Sequence, residues 1–178
     1  MNITTAAAAF NLPPVFVEAI ILVESGGDPA AYNPEPKYRY FWDVYRNRPF
    51  RPLTAKEVES KTPPNDFHAL GGDADQEWWG QQASWGLMQT MGAVARQHGF
   101  MATYLPELAD PDKSIEYGCK HLHWLWGRFY AQYGWAGVAA AYNAGSPRKV
   151  AGGRFENQVY VDKVRDKMAF LGHTLPPQ

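Results

Sequence analysis

The sequence predicts a mainly α protein folded as a single domain over residues 1–178, on three observations. Apolar residues recur at helical spacing in three separated segments; those segments are bounded by prolines, glycines and capping residues; and no strand pattern of comparable strength appears. The 178 residues are 46% hydrophobic, enough to build a core without disulfide or metal staples. A formal charge of -1 gives no general attraction to nucleic acid or to an anionic membrane, so neither is expected as a partner, and the chain is expected to be a monomer. Cys119 is the only cysteine, which excludes an internal disulfide and a cysteine-based zinc site. His68, His98, His121, His123 and His173 show no metal-binding spacing, and no cofactor is expected.

The first strong helix follows Pro13-Pro14, carries Val15, Phe16, Ala19, Ile20 and Val23, and ends at Gly26-Gly27, a left-handed stop. Glu24 then falls in its last turn. A carboxylate there faces the carbonyl end of the helix, which disfavours negative charge by about 0.3–1 kcal/mol in exposed sites. Beside an apolar face, such a charge acquires a raised pKa and becomes a candidate general acid. The position equally suits a helix-end glutamate reaching solvent. Before this helix, Thr4 or Thr5 is expected to cap a short alanine-rich helix to Phe10. The N-terminus has no basic region, and Glu18 and Glu24 interrupt the apolar run, so neither a signal peptide nor a membrane span is predicted and the chain is not expected to be exported by itself.

Residues 29–83 alternate proline, arginine, aromatic and glycine residues, with one capping box at Thr54 and Glu57. Their aromatic content predicts a folded insertion, in which Gly71 to Glu77 reads as a solvated loop. A helix from Thr90 to His98, closed by Gly99, comes next. The longest helix begins at Asp110-Pro111, with Ile115, Cys119, Leu122, Trp126 and Phe129 as its core stripe, and Gly134 stops it. A small-residue helix from Trp135 ends at Asn143-Ala144-Gly145, a last helix runs from about Glu156 to Leu171, and the Pro176-Pro177 tail is expected to fray.

Three segments besides Glu24 combine polar and small residues as a ligand cleft requires: Ser84 to Gln89, Ala141 to Gly145 and Glu156 to Val161. Gly86 allows close backbone approach, Gln89 and Asn143 suit sugar amides and hydroxyls, and Tyr142 offers a ring with a polar tip. Each also has a structural reading: Gln89 as a helix cap, Asn143 as a C-cap, Tyr142 and Tyr160 as core tyrosines.

In this order the segments resemble the soluble lytic transglycosylase family, which has the goose-type lysozyme-like fold. The matching motifs are Glu24-Ser25-Gly26-Gly27-Asp28-Pro29, Gly86-Leu87-Met88-Gln89, Ala141-Tyr142-Asn143-Ala144-Gly145 and Glu156-Asn157-Gln158-Val159-Tyr160-Val161. The resemblance covers residues 6–34 and 84–171. Asn157 replaces the family's usual threonine, and the insertion of about 35–83, between the catalytic helix and the Gly-Leu-Met-Gln motif, is much longer than the usual link.

The resemblance implies that Glu24 is a single catalytic acid and base acting on peptidoglycan strands, at the β-1,4 bond between N-acetylmuramic acid and N-acetylglucosamine, and leaving 1,6-anhydromuramyl ends. It further implies that Ser84, Gly86, Met88, Gln89, Tyr142, Asn143, Glu156 and Tyr160 bind substrate or support Glu24, while Ser25 fixes the helix end. A hydrolytic goose-type lysozyme is the nearest rival and would need a second carboxylate; Thr90-Met91 follows Gln89, and Asp73, Asp75 and Glu77 are the acids nearby. A glycan-binding or virion structural module is the rival from another class. Lys37, Arg39, Arg46, Arg48 and Arg51, interleaved with aromatics, could also be taken for a nucleic-acid patch, although a lobe wall or a strip facing anionic peptide stems is simpler. Activity at the bacterial cell wall, from a bacteriophage enzyme released by a holin or carried in the virion, is the expected setting.

Overall fold

The computed structural model describes residues 2–175, so the Pro176-Pro177 tail lies outside the described residues. The chain divides into two compact units, one of Met1–Gly27 with Gly118–Gln178 and the other of Asp28–Tyr117. Seven α-helices and five very short strands make it mainly α among the described residues.

In the first unit, helix α1 (Ile3–Ala9) is capped by Asn2, whose Oδ1 accepts from the backbone N–H groups of Thr4 and Thr5 at 2.7 and 3.3 Å. Asn2 thus takes the capping role expected of Thr4 or Thr5, since asparagine is at least as good an N-cap and stands directly before the first helical residue. Helix α2 (Pro14–Glu24) starts with proline at a position where its missing N–H has no partner to lose. It buries Phe16, Val17, Ala19, Ile20 and Ile21, and packs on helix α7 (Gln158–Phe170), which buries Val161, Val164 and Met168.

Helix α6 (Pro111–Ala144) is two helices joined at Gly134, whose φ of 61° lies in the region where glycine is unpenalised. Asp110 caps it as expected, accepting from Asp112 and Lys113 N–H. Its core stripe differs in one respect. Ile115, Cys119 and Leu122 are buried, but Leu125 takes the next core position and Trp126 and Phe129 are only half-buried. Cys119 is free, and burial pushes its thiol up to about 12. After Gly134 the small side chains of Val138 to Ala141 are all fully buried. The last helix begins at Gln158, two residues later than expected, because Tyr160 N–H and Val161 N–H both return to the Asn157 carbonyl.

The second unit holds the strands that the sequence concealed. Strands β1 (Tyr32–Pro34), β4 (Ala83–Trp85) and β5 (Thr90–Met91) form an antiparallel sheet in the order β1-β4-β5, and β2 (Trp42–Asp43) pairs with β3 (Arg48–Pro49). Segments of two or three residues are too short to display an alternating pattern. The insertion is folded, as its aromatic content predicts: Phe41, Phe50, Phe67 and Trp78 form one core, with Phe41 stacked on Trp78 at 4.0 Å. Helix α3 (Ala55–Val58) carries the expected capping box at Thr54 and Glu57. Two basic residues of the 37–51 group are neutralised locally. Arg51 bonds both Glu57 and Asp66 at 2.7 Å, and Arg46 bonds Asp43 at 3.0 Å.

The run from Gly71 to Glu77 is not a solvated loop. Asp73 caps helix α4 (Ala74–Gln81) by accepting from Gln76 N–H, and Glu77 points inward. Glu77 and Arg96 are 3% and 2% exposed and form a bidentate pair at 2.7 and 2.8 Å. Gln81 donates to the same carboxylate, and Arg96 Nη1 donates to the Phe100 and Ala102 carbonyls. Helix α5 (Gly92–Gln97), which carries Arg96, starts two residues later than expected because Thr90-Met91 pair in the sheet. It starts on glycine because a Cβ there would lie 2.1 Å from the Gly80 carbonyl oxygen. A 3-10 turn at Leu105–Ala109 then leads into α6.

Removing one partner of a buried ion pair strands the other charge, at a cost of about 3–5 kcal/mol. Arg96→Met is therefore expected to lower the unfolding free energy by about that amount in urea titrations, and Glu77→Met with Arg96→Met to lose less than the sum of the two single changes.

Candidate active site

The motif residues fall into two sets, one in each unit. The set in the first unit is built around the end of α2. Glu24 is the last helical residue, and Ser25 closes the helix by donating from Oγ to the Ile21 carbonyl and accepting from Gly27 N–H, each at 3.1 Å. Gly26 and Gly27 follow at φ of 65° and 91°, so the chain leaves the helix at once and the carboxyl is held at its final turn.

Tyr160, one turn into α7, donates its hydroxyl hydrogen to Glu24 Oε1. Burial raises the Glu24 pKa above its ordinary value of 4.5, while the Tyr160 hydrogen bond and the Lys163 charge pull against that rise. Desolvation of a half-buried carboxyl is thus the leading cause. The phenol itself stays protonated, since burial and the Glu24 charge hold its pKa well above 10. The result is a carboxyl with one oxygen occupied by a fixed donor and a proton affinity suited to acid–base exchange nearer neutrality.

Other residues of this set are arranged beside that pair. Tyr142 is half-buried, lies close enough to Tyr160 to raise its pKa, and packs its ring 5.5 Å from that of His121. Asn143 is exposed, and its Oδ1 accepts from Asn157 Nδ2 at 2.9 Å; the same Nδ2 donates to the Ala140 carbonyl at 3.0 Å. The C-cap expected of Asn143 falls to Gly145 instead, at φ of 74°, with its N–H bonded to the Ala141 carbonyl. Glu156 is exposed and paired with Arg148 at 3.0 Å, a surface contact on the far side of the Asn157 turn from Tyr160 in sequence.

The set in the second unit belongs to the β4–β5 connection. Ser84, on β4, is buried and donates to Gln89 Oε1 at 2.9 Å. Gln89 Nε2 donates both its hydrogens, to the carbonyls of Ala31 and Gly86, each at 2.9 Å. Its amide therefore clamps the turn, and only the rest of its oxygen remains for a ligand. Gln89 holds φ of 46°, outside ordinary helix and strand, and is not a helix cap. Gly86 is required for protein packing, because a Cβ there would lie 2.5 Å from the Leu108 carbonyl oxygen and 2.7 Å from Ser114 Oγ. Met88 is fully buried with its side chain in the core, and its backbone N–H donates to Ser114 Oγ at 3.1 Å.

Two residues escaped the sequence reading. Lys163 stands three positions after Tyr160, a spacing that puts both on one face of α7, and that periodicity would have revealed it. Asn157 was noticed only as a departure from threonine, whereas its longer amide reaches both the Ala140 carbonyl and Asn143. Among the described residues no group of three or more His, Cys, Asp or Glu is placed to hold a metal ion, and no single helix is long and apolar enough to cross a membrane.

Two outcomes follow from the Glu24 environment. Tyr160→Phe removes the donor that lowers the Glu24 pKa, so carboxyl NMR titration is expected to show that pKa higher than in the unmodified protein. Because the folded value is raised, Glu24 contributes stability below about 4.5 that is lost as pH rises through the folded value. Glu24→Gln cannot ionise. Its melting temperature relative to the unmodified protein is expected to climb as pH increases through that window, and a flat difference across pH would contradict the assignment.

The geometry can be compared with known proteins. A family model described as Transglycosylase SLT domain matches residues 1–157, and so spans the α2 end, the Gln89 clamp, Tyr142, Asn143 and Glu156. Neither the curated proteins nor the solved structures gave a match. With a family model covering most of its length, and a lysozyme-like, mainly α fold, the chain belongs to the SLT transglycosylase domain family, the lytic transglycosylases that act on peptidoglycan.

Proposed function

We propose that the protein cleaves the β-1,4 bond between N-acetylmuramic acid and N-acetylglucosamine, with Glu24 as its one acid–base group and 1,6-anhydromuramyl ends as its product. The observation that carries this reading is the Glu24 carboxyl at the end of α2, raised in pKa by burial and held through one oxygen by Tyr160. Most glycosidases need two carboxylates about 5–5.5 or 6.5–9.5 Å apart, and substrate-assisted enzymes are the exception.

In the first step the protonated Glu24 gives its proton to the glycosidic oxygen as that oxygen leaves the muramyl C1. The acetamido oxygen of the same sugar forms the new bond to C1, and positive charge passes into the resulting five-membered ring. Glu24 is now ionised, and the Tyr160 hydroxyl and the Lys163 charge favour that form. In the second step the muramyl 6-hydroxyl attacks C1, the acetamido oxygen departs, and Glu24 takes the hydroxyl proton. The carboxyl is thereby reprotonated without water entering the balance. Tyr142 and Asn143 are proposed to bind the sugar rings and amides, with Asn143 fixed by Asn157. Gln89 and Ser84 shape the β4–β5 turn, and Glu156 acts at the surface through its pair with Arg148.

The hydrolytic alternative needs a second acid, and Glu77 is a poor one, being buried and neutralised by Arg96. Asp73 is engaged at the α4 N-terminus and Thr90 follows Gln89. The site of action proposed with this chemistry is the bacterial cell wall, and a bacteriophage enzyme remains the setting proposed for it.

Mass spectrometry of digested peptidoglycan tests the reaction, since ring closure and hydrolysis differ by one water at the muramyl end. Anhydromuropeptides are expected, and predominantly reducing ends would overturn the reading. Glu24→Gln keeps the side-chain volume and removes the transferable proton, so its activity is expected to fall at least about 10²-fold. A smaller loss would move the acid–base role elsewhere.

A further inference from the structure

The second unit contains a cavity of about 230 Å³ that none of the motif roles uses. Its walls carry the rings of Tyr32, Trp79, Trp85 and Tyr104, together with the polar side chains of Asp73 and Gln76. Tyr32, Tyr104 and Trp79 are 52%, 48% and 39% exposed, an unusual concentration of large rings left open to water around one hollow.

Three of these rings, those of Trp85, Tyr32 and Tyr104, are held in place. The Trp85 indole N–H donates to the Gly80 carbonyl at 3.0 Å, and the Tyr32 ring lies 4.7 Å from that of Trp85. Tyr104 lies so close to the backbone at Gly72 that a Cβ there would stand 3.1 Å from its ring, and at Gly80 a Cβ would stand 2.8 Å from Leu105. Asp73 is fixed by its cap on α4. A cavity bounded by such anchored groups is preformed, so a ligand entering it loses little to ordering of the protein.

The chemistry of the walls limits the occupant. No lysine or arginine lines the cavity, and of its two carboxylates Glu77 is neutralised by Arg96, which leaves Asp73 as the net charge. An anionic group, such as a lactyl or stem-peptide carboxylate, is therefore disfavoured. A pyranose with equatorial substituents presents flat faces of C–H groups to aromatic rings and a rim of hydroxyl and acetamido groups to Asp73 and Gln76. The volume lies below the roughly 300–1,000 Å³ of drug-sized pockets, which suits one sugar ring and not an extended strand.

We propose that this cavity is a second glycan-binding site, which takes one neutral N-acetylglucosamine residue of a peptidoglycan strand. It rests on the reading of peptidoglycan as the substrate, and it assigns to the α4 region a grip on glycan in addition to the acid–base chemistry at Glu24.

The test uses the full chain with Glu24→Gln, titrated with an N-acetylglucosamine tetramer and followed through indole N–H NMR signals, which Trp79→Phe and Trp85→Phe assign. The Trp79 and Trp85 signals are expected to shift saturably. Trp79→Ala is expected to weaken the response of Trp85 at least tenfold, and Trp79→Phe, which keeps a ring, less than threefold. Unmoved indoles at saturating tetramer would overturn the proposal, as would shifts produced by a stem peptide carrying no sugar. The two readings fail separately. Anhydro ends from the unmodified protein without indole shifts would sink this site alone, whereas indole shifts without any glycan cleavage would sink the catalytic reading and leave the site standing.

Discussion

The hydrogen bond from Tyr160 to Glu24 joins two opposed requirements. Burial drives the carboxyl toward its neutral form, and a fixed phenol together with the Lys163 charge keeps the ionised form accessible. The acid–base role proposed for Glu24 needs both states within reach. The surrounding helices serve that balance: α2 delivers the carboxyl on its last turn, the glycines after it remove the chain, and α7 packs on α2 so that Tyr160 arrives opposite. Were the helix one turn longer, the carboxyl would gain backbone neighbours and lose its place at the exit.

The other unit gains rigidity from buried polar groups that bond across its elements. Glu77 and Arg96 tie α4 to α5 and to the carbonyls after it, and Gln89 ties Ala31, just before β1, to the β4–β5 turn. Buried polar networks of this kind are costly when incomplete and hold a unique arrangement when every donor is used. The price of that arrangement is that side chains which look free for ligands in the sequence are already engaged within the protein.

This explains what could be read from the sequence and what could not. Helices with long apolar stripes were legible, as were the stops at Gly26, Gly134 and Gly145 and the cap at Asp110, because each depends on local chemistry. The place of Glu24 in the last turn of its helix was legible for the same reason. The strands were not, since pairings such as Tyr32 with Trp85 join residues about fifty positions apart and are too short to leave a pattern. Glu77 looked solvated because its partner, Arg96, is nineteen residues away. Gly86 and Met88 were expected to serve a ligand, whereas the pressures visible on them come from Leu108, Ser114 and core packing, which only the folded chain reveals.

The single thiol has a consequence of another kind. Cys119 is buried on α6, and burial keeps it protonated far above neutral pH, so it offers neither a thiolate to oxidants nor a partner for a second cysteine. The stability of the fold is then indifferent to redox potential. A protein whose proposed substrate lies outside the cytosol would keep the same covalent structure in a reducing compartment and in an oxidising one, with no bond to form on the way.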